Sequence, residues 1–564
     1  MIKKWQIAKK ISKEFQNEFP EVNPIILQLL YNRGLQTQEE IDEFLNPDYG
    51  QDIHDPFLFR DMKKAVKRIM LAIEKKQKIT VHGDYDADGV SATVVIVTTL
   101  KALGAKVDVY IPHRVSEGYG LNINTVNTLN EKETNLIITV DCGISNHEEV
   151  ELVNKLGMDI IITDHHKEPP VLPKSLALIN PHVKGEKYPF EELAGVGVAF
   201  KLVQALVKED DGKKIKSGFE KWLLDIVAIG TIGDCVPLVG ENRTLVKYGL
   251  VVIRKSKRLG LREMVESTRF NLETLDTMNV SFGIVPKINA AGRLGHANTA
   301  YELLMTKKDA EAKKIADDLE NTNKERQKIT EKILSASNEQ IGGVDKQKIL
   351  FASGEGWQVG VVGLVAGRLS DKYARPVIIM GESKDEIVGS GRSIPGFDIT
   401  KALVESSEYL ERYGGHAAAC GFTLKKGMKN EFISSMEKIA NREISDGGVV
   451  KSFKIDREVK LNEIDWGLVN KLENFEPFGQ GNKQPMFVAY NLTVKDFQKI
   501  GSTGRHLRMM VEQEGVERKI IAFGFGETLG NELSIGEKKD MLFEISINEW
   551  NGNRELQLKL VDTN

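Results

Sequence analysis

The feature that most constrains this chain is a short apolar run, rich in β-branched residues, that ends on acids and imidazoles and recurs along the sequence. The runs are KITVH (78–82), LIITV (136–140) and DIIIT (159–163). A strand with one wet face alternates apolar and polar residues, whereas a strand covered on both faces does not. Continuous runs separated by helix-like sequence therefore predict an α/β domain with a parallel sheet. AKVDVYI (105–111) and LALIN (176–180) are two further strand candidates. After the first run come His82, Asp84, Asp86 and Asp88; after the second, Asp141; after the third, Asp164, His165 and His166. A fourth apolar segment, DIVAIGTIGD (225–234), ends on Asp234. Ligands of open parallel sheets bind outside the carboxyl ends of the strands, so four separate elements aim polar groups at one crevice.

The stretch DYDADG (84–89) opens like a calcium loop. Its twelfth position is Val95 rather than a bidentate Glu, and it follows a strand rather than a helix, which excludes an EF-hand. Any one strand-end Asp can be a helix N-cap. Four such ends carrying two adjacent histidines point instead to shared chemistry. Clustered carboxylates repel and raise one another's pKa values, and divalent cations remove that problem. Mixed Asp and His ligands suit Mn²⁺ better than Mg²⁺, and the absence of Cys ligands disfavours structural zinc. The expectation is a two-metal hydrolytic site, in which paired cations activate water and neutralise a phosphoryl transition state.

At 564 residues the chain exceeds one core, and three or four domains are expected. Its net charge of −4 gives no global basic field, so a nucleic acid would have to be gripped by local patches. Cys142, Cys235 and Cys420 are isolated, with no CxxC pair, which fits a reducing compartment. Cys142 and Cys235 adjoin two candidate ligands and read as small buried packing residues. The N-terminus has no signal-peptide core and no run reaches membrane-span length, so a cytoplasmic protein without membrane contact is expected.

In the second half, residues 307–340 lack Gly and Pro and place Ile315, Leu319, Ile329 and Ile333 at helical spacing. They predict one long charged helix spanning two lobes. A second α/β unit follows, with strands at 347–352 and 376–380 and glycine-rich GSGRS (389–393) and GGHAAACG (414–421). Such stretches read as turns able to cradle phosphate. From about 452 onward, alternation in LFEISINEW (542–550) and ELQLKLVD (555–562) predicts a small antiparallel barrel. Trp550, Phe478 and Phe487 are candidate base-stacking aromatics there, and Arg505, His506, Arg508, Arg518 and Lys519 candidate groove residues.

HGDYDADG, VDCG, DHH and GTIGD together resemble the motif set of the DHH phosphoesterase superfamily. The resemblance implies two ions, Mn²⁺ or Mg²⁺, held by His82, Asp86, Asp88, Asp141, His165 and Asp234, with Asp84 beside them in the catalytic set. His166 is implied to position the scissile phosphate or act as general acid. LLYNRGL…FLNP (29–47), HDPFLFRDMKKAV (54–66), INAAGRLGHA (288–297), GEGWQVGVVGLVAGRL (354–369), GSGRSIPGFDI and FEPFGQGNKQPMF (475–487) extend the resemblance, along almost the whole chain, to the RecJ family of single-strand exonucleases.

That family implies an N-terminal helical segment (1–55), a DHH catalytic domain (56–300), a connecting helix (301–343), a DHH-associated domain (344–451) and an OB-fold (452–564). An additional C-terminal domain carried by some relatives is expected to be missing. The implied activity is processive 5′→3′ hydrolysis of single-stranded DNA to 5′-mononucleotides in repair and recombination, by a monomer that a helicase and a single-strand-binding protein can assist. Arg114, Arg293, Ser390 and Arg392 match positions that hold backbone phosphates, and His416 is implied to help. The alternatives are a superfamily oligoribonuclease or cyclic-dinucleotide phosphodiesterase, and a DNA-binding scaffold with a degenerate site.

Overall fold

The apolar runs form the expected sheet. Strands Lys106–Tyr110, Lys78–Gly83, Leu136–Val140, Asp159–Thr163 and Ala177–Ile179 lie side by side in that order, all parallel. Leu136–Val140 is buried at every position, which explains why the run does not alternate. The structure is a computed structural model, and it describes residues 3–268, 270–344, 347–445, 451–550 and 553–564. The chain divides into two compact units, one of residues 54–236 and 248–450, the other of residues 1–53, 237–247 and 451–564.

In the first unit the sheet is covered by helices that include Ala87–Ala102, buried almost all round, and Gly195–Asp210. The segment ending in Asp234 departs from the strand-like reading: it is the helix Leu224–Gly233, fully buried, with Asp234 as its C-cap. A helix apolar on every side carries no periodic signal, so its sequence looks the same as a core strand. The long helix runs from Asp309 to Ile341 and buries Ala312, Ala316, Leu319, Asn323, Thr330, Ile333, Ser337 and Ile341 at three- and four-residue steps. It is pinned by an ion pair between Lys287 Nζ and Glu320 at 2.8 Å.

Beyond it lies a five-stranded mixed sheet, ordered Leu410–His416, Ala419–Leu424, Ile387–Arg392, Val377–Glu382, Leu350–Glu355. The glycine-rich stretches are not the turns they resemble. GSGRS lies largely within the strand Ile387–Arg392, GGHAAACG spans two hairpin strands, and residues 359–369 belong to the helix Val359–Tyr373.

The second unit contains a closed five-stranded barrel of Met486–Ile500, His506–Gln513, Val516–Ala522, Asn553–Thr563 and Lys538–Trp550, the last strand returning to pair with the first. This is the strand order of an OB-fold. Its core is shared with N-terminal helices: Leu29, Ile41 and Phe44 pack in one cluster with Phe475, Phe487 and Phe543. Phe487 is therefore a core residue rather than a stacking platform, and Phe478 packs against the same cluster. The side chain of Trp550 lies outside the described residues. Among the described residues no helix is long and apolar enough to cross a membrane.

Candidate metal centre

The acids gather at the carboxyl edge of the parallel sheet because each is fixed by the backbone that follows its strand. Asp86 is the N-cap of Ala87–Ala102, its Oδ1 accepting the Asp88 and Gly89 N–H groups at 2.9 and 3.1 Å. The N-cap role leaves Asp86 able to ligate, since Oδ1 makes the cap and the second oxygen remains. Asp88, two residues on, accepts N–H groups from Gly195 (2.7 Å) and Val196 (2.9 Å). Asp141 sits in the left-handed region at φ 60°. A Cβ at Gly195 would collide with its carboxylate, so the glycine makes room for the acid.

Asp164 is completely buried and spends its oxygens inward. Oδ1 accepts from the His165 and His166 N–H groups and from His166 Nδ1 at 2.7, 3.1 and 2.7 Å, and Oδ2 from Ile144 N–H at 2.9 Å. It orients both histidines rather than offering a ligand oxygen. His165 Nε2 then stands 3.2 Å from Asp141 Oδ1 and 3.7 Å from Asp234 Oδ2.

Three sets of potential ligand atoms result, each within 4.8 Å: Asp141, His165 and His166; Asp88, His165 and Asp234; and Asp84, Asp86 and Asp141. His82 joins none of them. It is fully buried, stacked on Tyr110, with Nδ1 3.7 Å from Cys142 Sγ. Its Nε2, Asp84 Oδ1 and Asp141 Oδ1 are buried without a hydrogen-bond partner. Buried polar atoms are normally satisfied, and three orphans beside linked carboxylates fit a cation bound among them. Cys142 is buried as expected, whereas Cys235 is exposed.

The electrostatics agree with that fit. Burial, then Asp86, pushes the Asp88 carboxyl up to about 7. Burial, then Asp88 and Asp86, takes Asp234 to about 9. Asp84 and Asp141 are raised well above the carboxylate range by burial and neighbouring acids. Burial holds His82 at about 4, and burial with the adjacent His166 does the same to His165, so both imidazoles are neutral and able to ligate. His166 goes the other way. Burial opposes its charge, but the Asp164 hydrogen bond raises it to about 9.

The remaining candidate residues are three arginines, Ser390 and His416. Arg114 lies over the Tyr85 ring at 4.1 Å, with its Nε buried and unpaired. Arg293 Nη1 donates to Gly360 O at 2.8 Å, and Arg392 Nη1 to Ser390 Oγ at 3.3 Å. The helix Val359–Tyr373 presents Gly360, Gly363 and Gly367 toward these groups. A Cβ at Gly360 would strike the Arg293 backbone, and one at Gly363 would lie 3.0 Å from Ser390 Oγ and 3.4 Å from Arg392 Nη2. The glycine stripe admits the arginines and is not itself a cradle. Burial, then Arg114 and Arg326, brings the Arg293 guanidinium down to about 9. Strand register places His416 opposite Ala419, and Ala419 opposite Arg392, so His416 stands about 10 Å across the sheet from Arg392.

Four residues were not foreseen in these roles. Asp164 orients the histidines. Tyr119 has its Oη 3.0 Å from Asp141 O and 3.0 Å from His166 Nδ1. Asn289 accepts the Ala87 N–H at 2.8 Å, and Arg326 faces Arg293 from the long helix. Of these only Asp164, at a strand end, carries a signal readable in one sequence.

Residues 78–231 match the DHH family, N-terminal domain; residues 346–442 the DHHA1 domain; and residues 455–562 the RecJ OB domain. The chain is 37% identical to the single-stranded-DNA-specific exonuclease RecJ of Bacillus subtilis (strain 168), over 99% of its own length and 70% of that protein's. It superposes on RecJ of Thermus thermophilus in complex with Mn²⁺ with a TM-score of 0.85 at 28% identity, covering 100% of this chain and 79% of that one. The Mg²⁺ complex of the Thermus protein gives 0.78 at 27% identity, covering 100% and 78%. With three successive domain matches and an identity of 37% across nearly all of its residues, the chain belongs to the RecJ family.

Proposed function

We propose that this protein is a metal-dependent exonuclease that digests single-stranded DNA 5′→3′ and releases 5′-mononucleotides, in DNA repair and recombination. The observation that carries the reading is that Asp141 and His165 each belong to two ligand sets, so the sets form one continuous centre. Its relatives are single-stranded-DNA-specific exonucleases, and its structural relatives hold Mn²⁺ or Mg²⁺.

Asp86, Asp88, Asp141, His165 and Asp234 would hold two ions, with Asp84 and His82 completing the shell. Mn²⁺ or Mg²⁺ bound there supplies an activated water and neutralises charge developing on the phosphoryl oxygens. His166, held at Nδ1 by Asp164, presents Nε2 to the scissile phosphate, where an imidazolium can position the group or protonate the leaving oxygen. Arg114, Arg293, Ser390 and Arg392 hold the terminal phosphate, which fixes the end from which digestion starts. His416 assists from the neighbouring strand.

On the barrel, a cleft of about 490 Å³ is lined by Trp466, Met510, Arg518 and Lys519 together with the acids Asp465, Glu517 and Glu555, the last paired with Lys519 at 2.6 Å. Trp466 is 41% exposed, and Arg554 lies 5.7 Å from its ring centre. Barrels of this kind bind strands by stacking bases on exposed aromatics, and Trp466 serves here as the platform for longer substrates, with Lys519 and Arg554 exchanging their partners Glu555 and Glu473 for phosphate. The protein works as a cytoplasmic monomer, with single strands delivered by a helicase and a single-strand-binding protein.

The test is one Mn²⁺ digestion series on 5′-labelled single-stranded DNA, duplex DNA, RNA and a cyclic dinucleotide. Release of labelled mononucleotide from the single strand first, with duplex resistant, is expected. Preferential turnover of RNA or the cyclic dinucleotide would overturn the assignment.

A further inference from the structure

Downstream of the anion side, one stretch of surface is apolar without a structural reason. Phe282 is 70% exposed, Met278 57% and Phe270 37%. Met278 and Phe282 are four residues apart, one helical turn, and so project from the same side. Phe282 lies in a π-helical turn, Val280–Ile284, that leads directly into the helix Val285–Leu294. Single π turns are rare and are frequent at functional sites. The turn is firmly seated. Val280, Gly283 and Ile284 face inward, and the Phe270 ring occupies the space a side chain at position 283 would need.

The helix that follows runs along the whole candidate centre. Near its start, Val285 packs against Gly233, the residue before Asp234. In its middle, Asn289 accepts the N–H of Ala87, between Asp86 and Asp88. Near its end, Arg293 enters the anion site. Phe282 and Arg293 are thus separated by about 16 Å of helix, with the acids abreast of the middle. If the terminal phosphate sits at Arg293, the uncut part of the strand leaves past the other end. Beside that end lies the basic run RKSKRLGLR (254–262), tied to the patch by Arg254 Nε donating to Leu275 O at 3.1 Å. Lys255, Lys257 and Arg262 in this run are exposed.

We propose that Phe282, backed by Met278, is a stacking platform for bases of the single strand on the far side of the metal centre from Arg293, with the basic run tracking the backbone. The proposal rests on the single-strand nuclease reading above. Aromatic platforms flanked by cations are the standard means of holding bases without reading sequence, and the helix that follows Phe282 passes beside the acids to Arg293. An acidic peptide of a partner protein is the competing occupant.

The experiment compares two 5′-phosphorylated 12-mers, one intact and one with abasic sites at the third to fifth nucleotides. Affinity is read by fluorescence anisotropy in EDTA, where hydrolysis is stopped. Wild-type protein is expected to prefer the intact strand by about 10-fold, within the range of aromatic–base stacking. Phe282→Ala should lose that preference with its Tm unchanged, and Phe282→Trp should keep it. Retention of the preference in Phe282→Ala overturns the proposal, as does an equal loss on both strands. So does loss only of binding to an Asp-rich peptide probe. Failure of wild-type protein to digest single-stranded DNA at all would instead overturn the functional reading on which the proposal stands.

Discussion

Asp141 Oδ1 lies 3.2 Å from His165 Nε2, and through this pair the three ligand sets become one site. Each of the two residues comes from the end of a different strand, and neither can be replaced by a neighbour. Asp141→Ala, like Asp86→Ala, is therefore expected to lower kcat on single-stranded DNA by at least about 10³-fold, the equivalent of about 4 kcal/mol of barrier. Affinity for the strand should change far less if, as proposed, the grip lies on Arg114, Arg293, Arg392 and the barrel. Single-turnover digestion beside anisotropy titration checks this, and parallel losses of cleavage and binding would show that the acids also carry the grip.

The same residue gives a second expectation, on stability. Asp141 holds a left-handed backbone, which Asn tolerates better than most residues. Its carboxyl is raised by burial and then by Asp88, Asp86, Asp84 and Asp234, which marks a repulsive cluster in the metal-free protein. Asp141→Asn should therefore melt no lower than wild type in EDTA. In wild type, saturating Mn²⁺ at about 100 times its Kd should add about 2.7 kcal/mol of stability. Asp141→Asn should lose most of that increment. A wild-type Tm that ignores Mn²⁺ would count against a metal centre here.

Legibility followed burial and chain direction. The strands were readable because Leu136–Val140 and its neighbours are buried on both faces, and the acids because each follows such a run. Asp234 was placed at the right site for the wrong structural reason, since an all-apolar helix and a core strand share a composition. GSGRS reads as a turn yet lies in a strand, and Gly360, Gly363 and Gly367 line a helix whose close neighbours are arginines distant in sequence. Phe487 in the barrel core and Tyr119 over His166 are set by tertiary packing alone, which no local pattern reports.

Arg293 is half-buried beside Arg114, Arg326 and Arg392, and its charge is costly unless an anion joins it. Removing it should affect binding more than folding. Arg293→Met is expected to weaken binding of a 5′-phosphorylated strand by about 10-fold, as loss of one charge-assisted phosphate contact of about 1.5 kcal/mol or slightly less implies. The slope of log affinity against log salt should fall by about 0.7, as it does when one phosphate contact is lost on a single strand. Titrations at several salt concentrations read both quantities. An unchanged slope would place Arg293 in a structural role through its bond to Gly360.

The barrel's part in binding has to be tested without cutting the barrel away. Its core is continuous with Leu29, Ile41 and Phe44, and the buried Arg243 donates to Phe44 O, Phe475 O and Asn474 O at 3.0, 2.9 and 2.8 Å. Deleting residues 452–564 would leave these N-terminal helices with an exposed apolar face and Arg243 without two of its three carbonyls. Trp466→Ala avoids that, because the indole is partly exposed at the cleft. It should weaken binding of a long strand by about 5- to 150-fold, the range for loss of one aromatic stack. Binding of a trinucleotide, which engages the metal centre alone, should be far less affected. Anisotropy with the two lengths separates the cases: equal losses would mean that Trp466 supports the fold, and no loss on the long strand would mean that the cleft is not on the strand's path.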